Sequence, residues 1–224
     1  MGVPFYHKLL QNNFWLSPER MVYWEEEKAL IVSDLHFGKT GHFRKAGIAV
    51  PQSVYKEDLQ RLVSQLQFFQ PRKLLVVGDM FHSVANKELE WFKKWRNDFA
   101  ELDIQLIIGN HDILHKQWYK EADVVINYEK LAIHNFSFMH DIHELKNALP
   151  NNRDQISNYT FSGHIHPGIR VSGGGRQSLE FPCFYFTATF CVLPAFSRFT
   201  GLAIIRPKEQ DNVFAIVNQS VIQL

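Results

Sequence analysis

Three near-continuous apolar runs, each closing on polar residues of one chemical kind, constrain this chain more than any other feature. Ala29-Leu30-Ile31-Val32-Ser33 runs into Asp34. Lys73-Leu74-Leu75-Val76-Val77 runs into Gly78-Asp79, and Ile104 to Ile108 runs into Gly109-Asn110-His111-Asp112. Unbroken Val/Ile/Leu runs suit strands buried on both faces, because a strand with one wet face alternates instead. Between the first two runs, Ser53 to Gln70 carries Leu59, Leu62, Val63, Leu66 and Phe69 at the helical period, with Ser53 as the expected cap and Pro71 as the stop. Between the second and third, Asn86 to Ala100 repeats the pattern with Leu89, Phe92, Trp95 and Phe99. Strand, helix, strand, helix, strand is a pair of βαβ units, so a parallel core sheet is expected.

After residue 120 the character changes. VVINY, LAIHN, FSFMH, YTFSG, CFYFTATFCVL, LAIIR and VFAIV follow closely, with little helical pattern between them. They predict antiparallel strands in a second sheet packed on the first. The run PCFYFTATFC reads as a hairpin turning near Thr187-Ala188, which would set Cys183 opposite Cys191. Both thiols are expected reduced and buried, since two cysteines make no disulfide framework and nothing points to export.

With 224 residues and a 46% hydrophobic fraction, the chain is long enough to bury a core as one domain over residues 1–224. No repeat or linker divides it. The N-terminus lacks the apolar core of a leader, and no stretch reaches the ~18 apolar residues of a membrane span, so a cytoplasmic protein without membrane attachment is expected. The net charge of +1 supplies no global field toward nucleic acid. Any such contact must be local. Lys39, His42, Arg44 and Lys45 form one basic cluster, and Arg170, Arg176 and Arg198 follow later. Each reads equally well as solvated surface.

In an open α/β sheet, ligands bind beyond the carboxyl ends of the strands. All three early strand ends carry residues that can ligate a metal: Asp34-Leu35-His36, then Asp79, then Asn110-His111. Each phrase is weak by itself, and the chain holds a second D-x-H, Asp141-Ile142-His143. Gly163-His164-Ile165-His166-Pro167 is stronger. Alternating histidines at a strand end point to opposite sides and can straddle a metal pair, whereas a buried histidine pair without partners is costly. Carboxylate, imidazole and amide donors without thiolate suit Mn²⁺, Fe or Zn²⁺. His7, His115, His134 and His143 carry no assigned role.

The full order, D-x-H, G-D, G-N-H-D, His140, G-H-x-H, resembles the calcineurin-like metallophosphoesterase signature from Asp34 to His166. That resemblance implies an α/β fold of αββα type, a four-layer sandwich of two mixed sheets flanked by helices. It also implies two divalent metals, Mn²⁺ foremost. Asp34, His36, Asp79 and His166 would hold the first. Asp79, Asn110, His140 and His164 would hold the second, with Asp79 bridging. Two metals ~3.5–4 Å apart clamp the attacking and leaving oxygens of a displacement at phosphorus. His111 would protonate the leaving oxygen or stabilise charge on the phosphate, work suited to a side chain titrating near neutrality. Asp112 reads better as a backbone cap of the loop. His82, in Gly78-Asp79-Met80-Phe81-His82-Ser83, stands where many relatives carry the Asp that orients the catalytic histidine, and this form resembles DNA-repair nuclease branches.

The phrases DLHFGKTGHFRKAGIAVP, GHIHPGIRVSGGGRQSLEFPCF and LPAFSRFTG are similar to the ligase-associated DNA damage response endonuclease (PdeM) family, from about residue 28 to residue 205. Membership would imply a DNA phosphodiesterase linked to a DNA ligase, a helicase and an exonuclease. Lys39, Arg44 and Lys45, just past the first metal donors where an entering strand would run, are the residues expected to contact such a substrate. Arg198 within LPAFSRFTG departs from the smaller residue commoner there. A small-molecule phosphodiesterase or phosphomonoesterase on the same fold stays open, because fold and metals do not select the substrate. A non-catalytic scaffold on this fold is disfavoured by the full complement of ligands.

Overall fold

The computed structural model describes residues 2–39, 53–82, 87–143, 158–173 and 178–224. A seven-stranded sheet is ordered β1 (Phe5–Leu9), β2 (Asn12–Ser17), β3 (Met21–Trp24), β4 (Ala29–Val32), β5 (Lys73–Val77), β6 (Asp103–Ile107) and β7 (Val125–Asn127). Strands β1 to β4 form an antiparallel meander. From β4 to β7 every pairing is parallel, as the βαβ pattern predicts. The intervening helices are α1 (Ser53–Phe69) and α2 (Lys87–Asp98), close to their predicted limits. A short α3 (Lys116–Glu121) precedes β7. The expected capping by Ser53 lies outside the described side chains.

The apolar runs are unbroken because both faces of the sheet are covered. Leu30, Val32, Leu74, Val76, Ile104 and Leu106 face a core with Leu62, Leu66, Leu89, Phe92 and Trp95 of the helices. The alternate residues Ala29, Ile31, Leu75, Val77 and Ile107 face a second core shared with Phe136, Phe138, Phe161, Phe184, Phe186 and Phe214. Period-two alternation thus sends each strand's side chains into two different cores.

The second core is closed by a nine-stranded sheet. It contains β8 (Leu131–Ile133), β9 (Phe136–Met139), β10 (Tyr159–Ser162), β11 (Pro167–Ser172), β12 (Ser178–Phe186), β13 (Phe190–Val192), β14 (Ala203–Ile204), β15 (Asn212–Val217) and β16 (Ser220–Gln223). Its main path is β14-β11-β12-β13-β10-β9-β8, with β15 and β16 continuing from β12. The result is the expected sandwich of two mixed sheets. Helices cover the outer face of the first sheet, and none covers the second among the described residues.

Three local expectations are corrected. VVINY does not join the second sheet. It forms β7, which extends the parallel sheet beside β6. The second sheet is not all antiparallel, because β10 pairs parallel with both β9 and β13. The cysteine hairpin forms, but its register sets Phe186 against Cys191, while Cys183 lies opposite Ala215 of β15. The reason is the turn. The Thr187 N–H and hydroxyl donate to the Phe190 carbonyl at 2.8 and 3.1 Å, closing the loop one step later than expected. Both thiols are free and buried. Among the described residues no helix is long and apolar enough to cross a membrane.

Candidate metal centre

Five strand ends converge on one site. Asp34 and His36 follow β4, Asp79 follows β5, and Asn110 and His111 follow β6. From the second sheet, His140 follows β9, while His164 and His166 follow β10. The parallel β9–β10 register, Met139 against Ser162, brings these histidines out at the same end. Asp34, His36 and His166 form one donor set, and Asp79, His140 and His164 form another. Within each, one ligating atom per residue lies within 4.8 Å of the others.

The spacings are those of donors aimed at a common point. His164 Nδ1 is 3.0 Å from His140 Nε2, which is 3.0 Å from Asn110 Oδ1 and 3.6 Å from Asp79 Oδ1. His166 Nε2 lies 3.3 Å from Asp34 Oδ1. Donors ~2.1 Å from one ion and ~90–110° apart sit roughly 3.0–3.4 Å from each other. Asp34, His36, Asp79 and His140 are all buried. Both ring nitrogens of His36 are buried without a hydrogen-bond partner, an expensive arrangement for an imidazole. Burial, reinforced by Lys39 and three neighbouring histidines, pushes its pKa down to about 2, leaving a neutral ring with a free lone pair. The donor set therefore fits a pair of divalent cations. When bound, such a pair stabilises charge on a phosphoryl group and supplies a nucleophile from water near neutral pH.

The local backbone shows how the chain builds this site. Asp34, His36, Asp79, His164 and His166 have φ of 53°, 50°, 50°, 66° and 54°. Left-handed backbone costs a non-glycine residue about 1–2 kcal/mol. His164 and His166 were expected to alternate along an extended strand end. The backbone is instead a left-handed segment between β10 and β11, from which His164 joins one donor set and His166 the other.

The glycines beside the ligands have a steric role. A Cβ on Gly78 would overlap the His140 ring, and one on Gly163 would lie 2.8 Å from Asp34 Oδ2, Ser33 Cβ and the Val77 carbonyl. One on Gly109 would run into Asp79. The two sheets can bring these donor side chains together only where a Cβ is absent from the three glycines.

Asp112 behaves as the expected loop cap. Its Oδ1 accepts the Phe81 N–H and its Oδ2 the Gly109 N–H, both at 2.9 Å, tying the β5 and β6 loops together. Burial raises its pKa to about 7 against the pull of those two N–H groups. The His111 N–H donates to Asp79 Oδ1 at 2.9 Å, and the His111 ring lies 4.2 Å from that of His82 and 5.6 Å from that of His36, between centroids. Both histidines expected to act in catalysis therefore border the donor sets. Lys39 is half-buried near Asp34 and Asp79, whose charges oppose the lowering of its pKa by burial.

Other sequence candidates fall away from the site or outside the described residues. His42, Arg44, Lys45 and Arg176 are outside them. Arg170 pairs with Glu180 at 2.6 Å and Arg198 with Glu19 at 3.4 Å. The second D-x-H is an ordinary turn, in which the His143 N–H donates to Asp141 Oδ1 at 2.8 Å. His115 caps α3, and His134 pairs with Glu27.

Fold and site together are those of a metal-dependent phosphoester hydrolase. The calcineurin-like phosphoesterase family model matches residues 28–204, and the chain belongs to that family. Among solved structures it is similar to the Pseudomonas putida nuclease MPE, at 25% identity and a TM-score of 0.80, covering 99% of this chain and 100% of that one. A weaker likeness is to Yfce, a phosphoesterase from E. coli, at 14% identity and a TM-score of 0.45, covering 88% of this chain and 97% of that one. No curated protein matches the chain.

Proposed function

We propose that this chain is a manganese-dependent phosphodiesterase that cleaves DNA. The observation that carries this reading is the end-to-end similarity to a nuclease, with a TM-score of 0.80 and both chains covered almost completely. In this reading Asp34, His36, Asp79 and His166 hold one metal, and Asp79, Asn110, His140 and His164 hold the other. Asp79, which stands with His140 and His164 in one donor set, would be the carboxylate shared between the two metals. His111 donates a proton to the leaving oxygen, and His82 orients it. Lys39 neutralises phosphate charge at the entrance, with Arg44 and Lys45 extending that contact. The ligase-associated resemblance supports a place in DNA repair, in the cytoplasm, beside a ligase, a helicase and an exonuclease.

The net charge of +1 favours a second reading, a small phosphodiester as substrate, since no global field draws in a polyanion. One experiment separates the two. Metal-free protein is supplied with Mn²⁺, Zn²⁺ or Fe²⁺ and offered single-stranded and duplex DNA, bis-p-nitrophenyl phosphate and p-nitrophenyl phosphate. The proposal expects Mn²⁺-dependent DNA cleavage exceeding monoester turnover. Uncut DNA beside fast turnover of the small diester would hand the case to the second reading.

A further inference from the structure

The phrase LPAFSRFTG contributes no metal donor, yet its backbone lies against one. Ala195 forms an isolated parallel bridge with Ser33, and the Phe196 N–H donates to the Ser33 carbonyl at 2.9 Å. The Ser33 hydroxyl donates to the Pro194 carbonyl at 3.2 Å. The Ser197 N–H then donates to the carbonyl of Asp34 at 3.2 Å. On the other side the Asp34 N–H donates to the Gly78 carbonyl at 3.2 Å. Asp34 is fully buried with φ of 53°, so its unfavourable backbone is held between the β5 loop and this strap.

Two guanidinium groups hold the strap in turn. Arg20 Nη1 donates to the Ala195 and Ser197 carbonyls, both at 3.0 Å. Arg61 Nη1 donates to the Phe196 carbonyl at 3.1 Å, and the guanidinium carbon sits 4.2 Å above the Phe196 ring. Three successive carbonyls are thus taken by arginine. Arg61 is itself fixed by Glu19 Oε2 and Asp58 Oδ1, each at 2.7 Å, and by the Glu19 carbonyl at 2.9 Å. The Arg61, Glu19 and Asp58 side chains are only 10%, 14% and 7% exposed. A buried ion-pair group of this kind adds little stability over a well-packed apolar one, but losing one partner leaves the other charge uncompensated, so the three side chains hold one another in place. Arginine suits that arrangement, because its planar fork reaches several acceptors at once in fixed directions, where the single ammonium of lysine does not.

We propose that Arg20 and Arg61 are positioning residues that hold the Asp34 carboxylate in its donor set by way of the strap at residues 194–197. The inference rests on the metal-binding reading of Asp34. It gives the loop phrase a physical role and places two guanidinium groups directly behind the first donor set.

The test uses the full chain, stripped of metal and titrated with Mn²⁺ by calorimetry, with urea unfolding run in parallel. Arg61→Lys and Arg20→Lys keep the charge and lose the fork. Each should weaken one of two Mn²⁺ sites by ~10–100-fold, the usual effect of removing a residue that orients a ligand, and leave the other within about twofold. In an Asp34→Asn background, which has already lost that site, Arg61→Lys should change the remaining site no further. Should Arg61→Lys fail to fold, Arg20→Lys carries the test, since it leaves the Arg61–Glu19–Asp58 group intact. Folded variants with both affinities unchanged, or with both reduced equally, would overturn the inference. Native protein that binds no Mn²⁺ would overturn the metal reading and this inference with it, and that result is visible before any variant is made.

Discussion

Gly78→Ala tests the steric logic of the site most directly. Gly78 has φ of +78°, and an added Cβ would overlap the His140 imidazole, with even Cε1 only 2.7 Å away. Nothing on the backbone side can give, because the Gly78 carbonyl accepts the Asp34 N–H and lies one residue before Asp79. His140 is 6% exposed, and its Nε2 is already committed to His164 and Asn110, so the ring cannot move outward without leaving its donor set. The left-handed backbone costs alanine about 1–2 kcal/mol. Overpacking of a closed interior adds about 1–3 kcal/mol. Together these predict a loss of roughly 2–5 kcal/mol, a fall in Tm of roughly 4–20 °C for a chain of this size. Urea unfolding of metal-free protein measures the first figure, and Mn²⁺ calorimetry should show the His140 site weakened at least ~10-fold. Gly201→Ala is the control, since an added Cβ there meets nothing within 4 Å and should change stability by under ~0.5 kcal/mol. If Gly78→Ala matches that control in stability and Mn²⁺ binding, the interlocking of the two sheets through this glycine is wrong.

Asp79→Asn should abolish turnover and weaken both Mn²⁺ sites, whereas loss of one site alone by calorimetry would show that Asp79 does not bridge. His111→Ala should lower kcat by ~10²–10⁴-fold with metal content unchanged, His82→Ala should lose less, and the double variant should be no worse than His111→Ala. Additive losses in kcat would mean that the two rings, 4.2 Å apart, act independently. Neither cysteine should react with Ellman's reagent at pH 8 until the protein unfolds, because burial pushes the Cys183 thiol up to about 12 and the Cys191 thiol well above its usual value. Early labelling of Cys191 would contradict the closed inter-sheet core in which it lies. Replacing Lys39, Arg44 and Lys45 together by Ala should weaken oligonucleotide binding and flatten its salt dependence by roughly one unit of slope for each phosphate no longer neutralised. An unchanged slope would reduce that cluster to solvated surface.

How much of this was legible in the residues depended on how local the cause was. β4 to β6 could be read because burial on both faces leaves an apolar run with no gaps, and the strand-end donors could be read because they stand where the runs stop. The hairpin of β1 and β2 could not. Its turn residues Leu10 and Gln11 both take positive φ, 46° and 65°, with neither Gly nor Asn to announce it. Asn218 and Gln219 turn β15 into β16 with the same backbone, at 45° and 64°, and there only Asn218 hints at it. β7 looked like any other short apolar strand, and only its register against β6 assigns it to the parallel sheet.

The site divides along the same line. Residue type and order marked out the donors, but their left-handed backbone is imposed by partners far off in sequence. Ser197, near the other end of the chain, holds the main chain of Asp34, and His140 fills the space left by Gly78. The arginines behind the strap carried no signal, because Arg20 and Arg61 read as ordinary charged residues until the Ala195, Phe196 and Ser197 carbonyls are seen to accept from them. A chain of modest net charge and ordinary cores thus places five left-handed residues, Asp34, His36, Asp79, His164 and His166, and most of its buried charge at one end of the sheets. Strain collected in one place persists only where surrounding contacts over-determine it, and here those contacts come from both sheets, the α1 helix and the strap at once. Loosening any one of them should therefore weaken metal binding, which is what the Arg61→Lys and Gly78→Ala titrations read beside the unfolding curves.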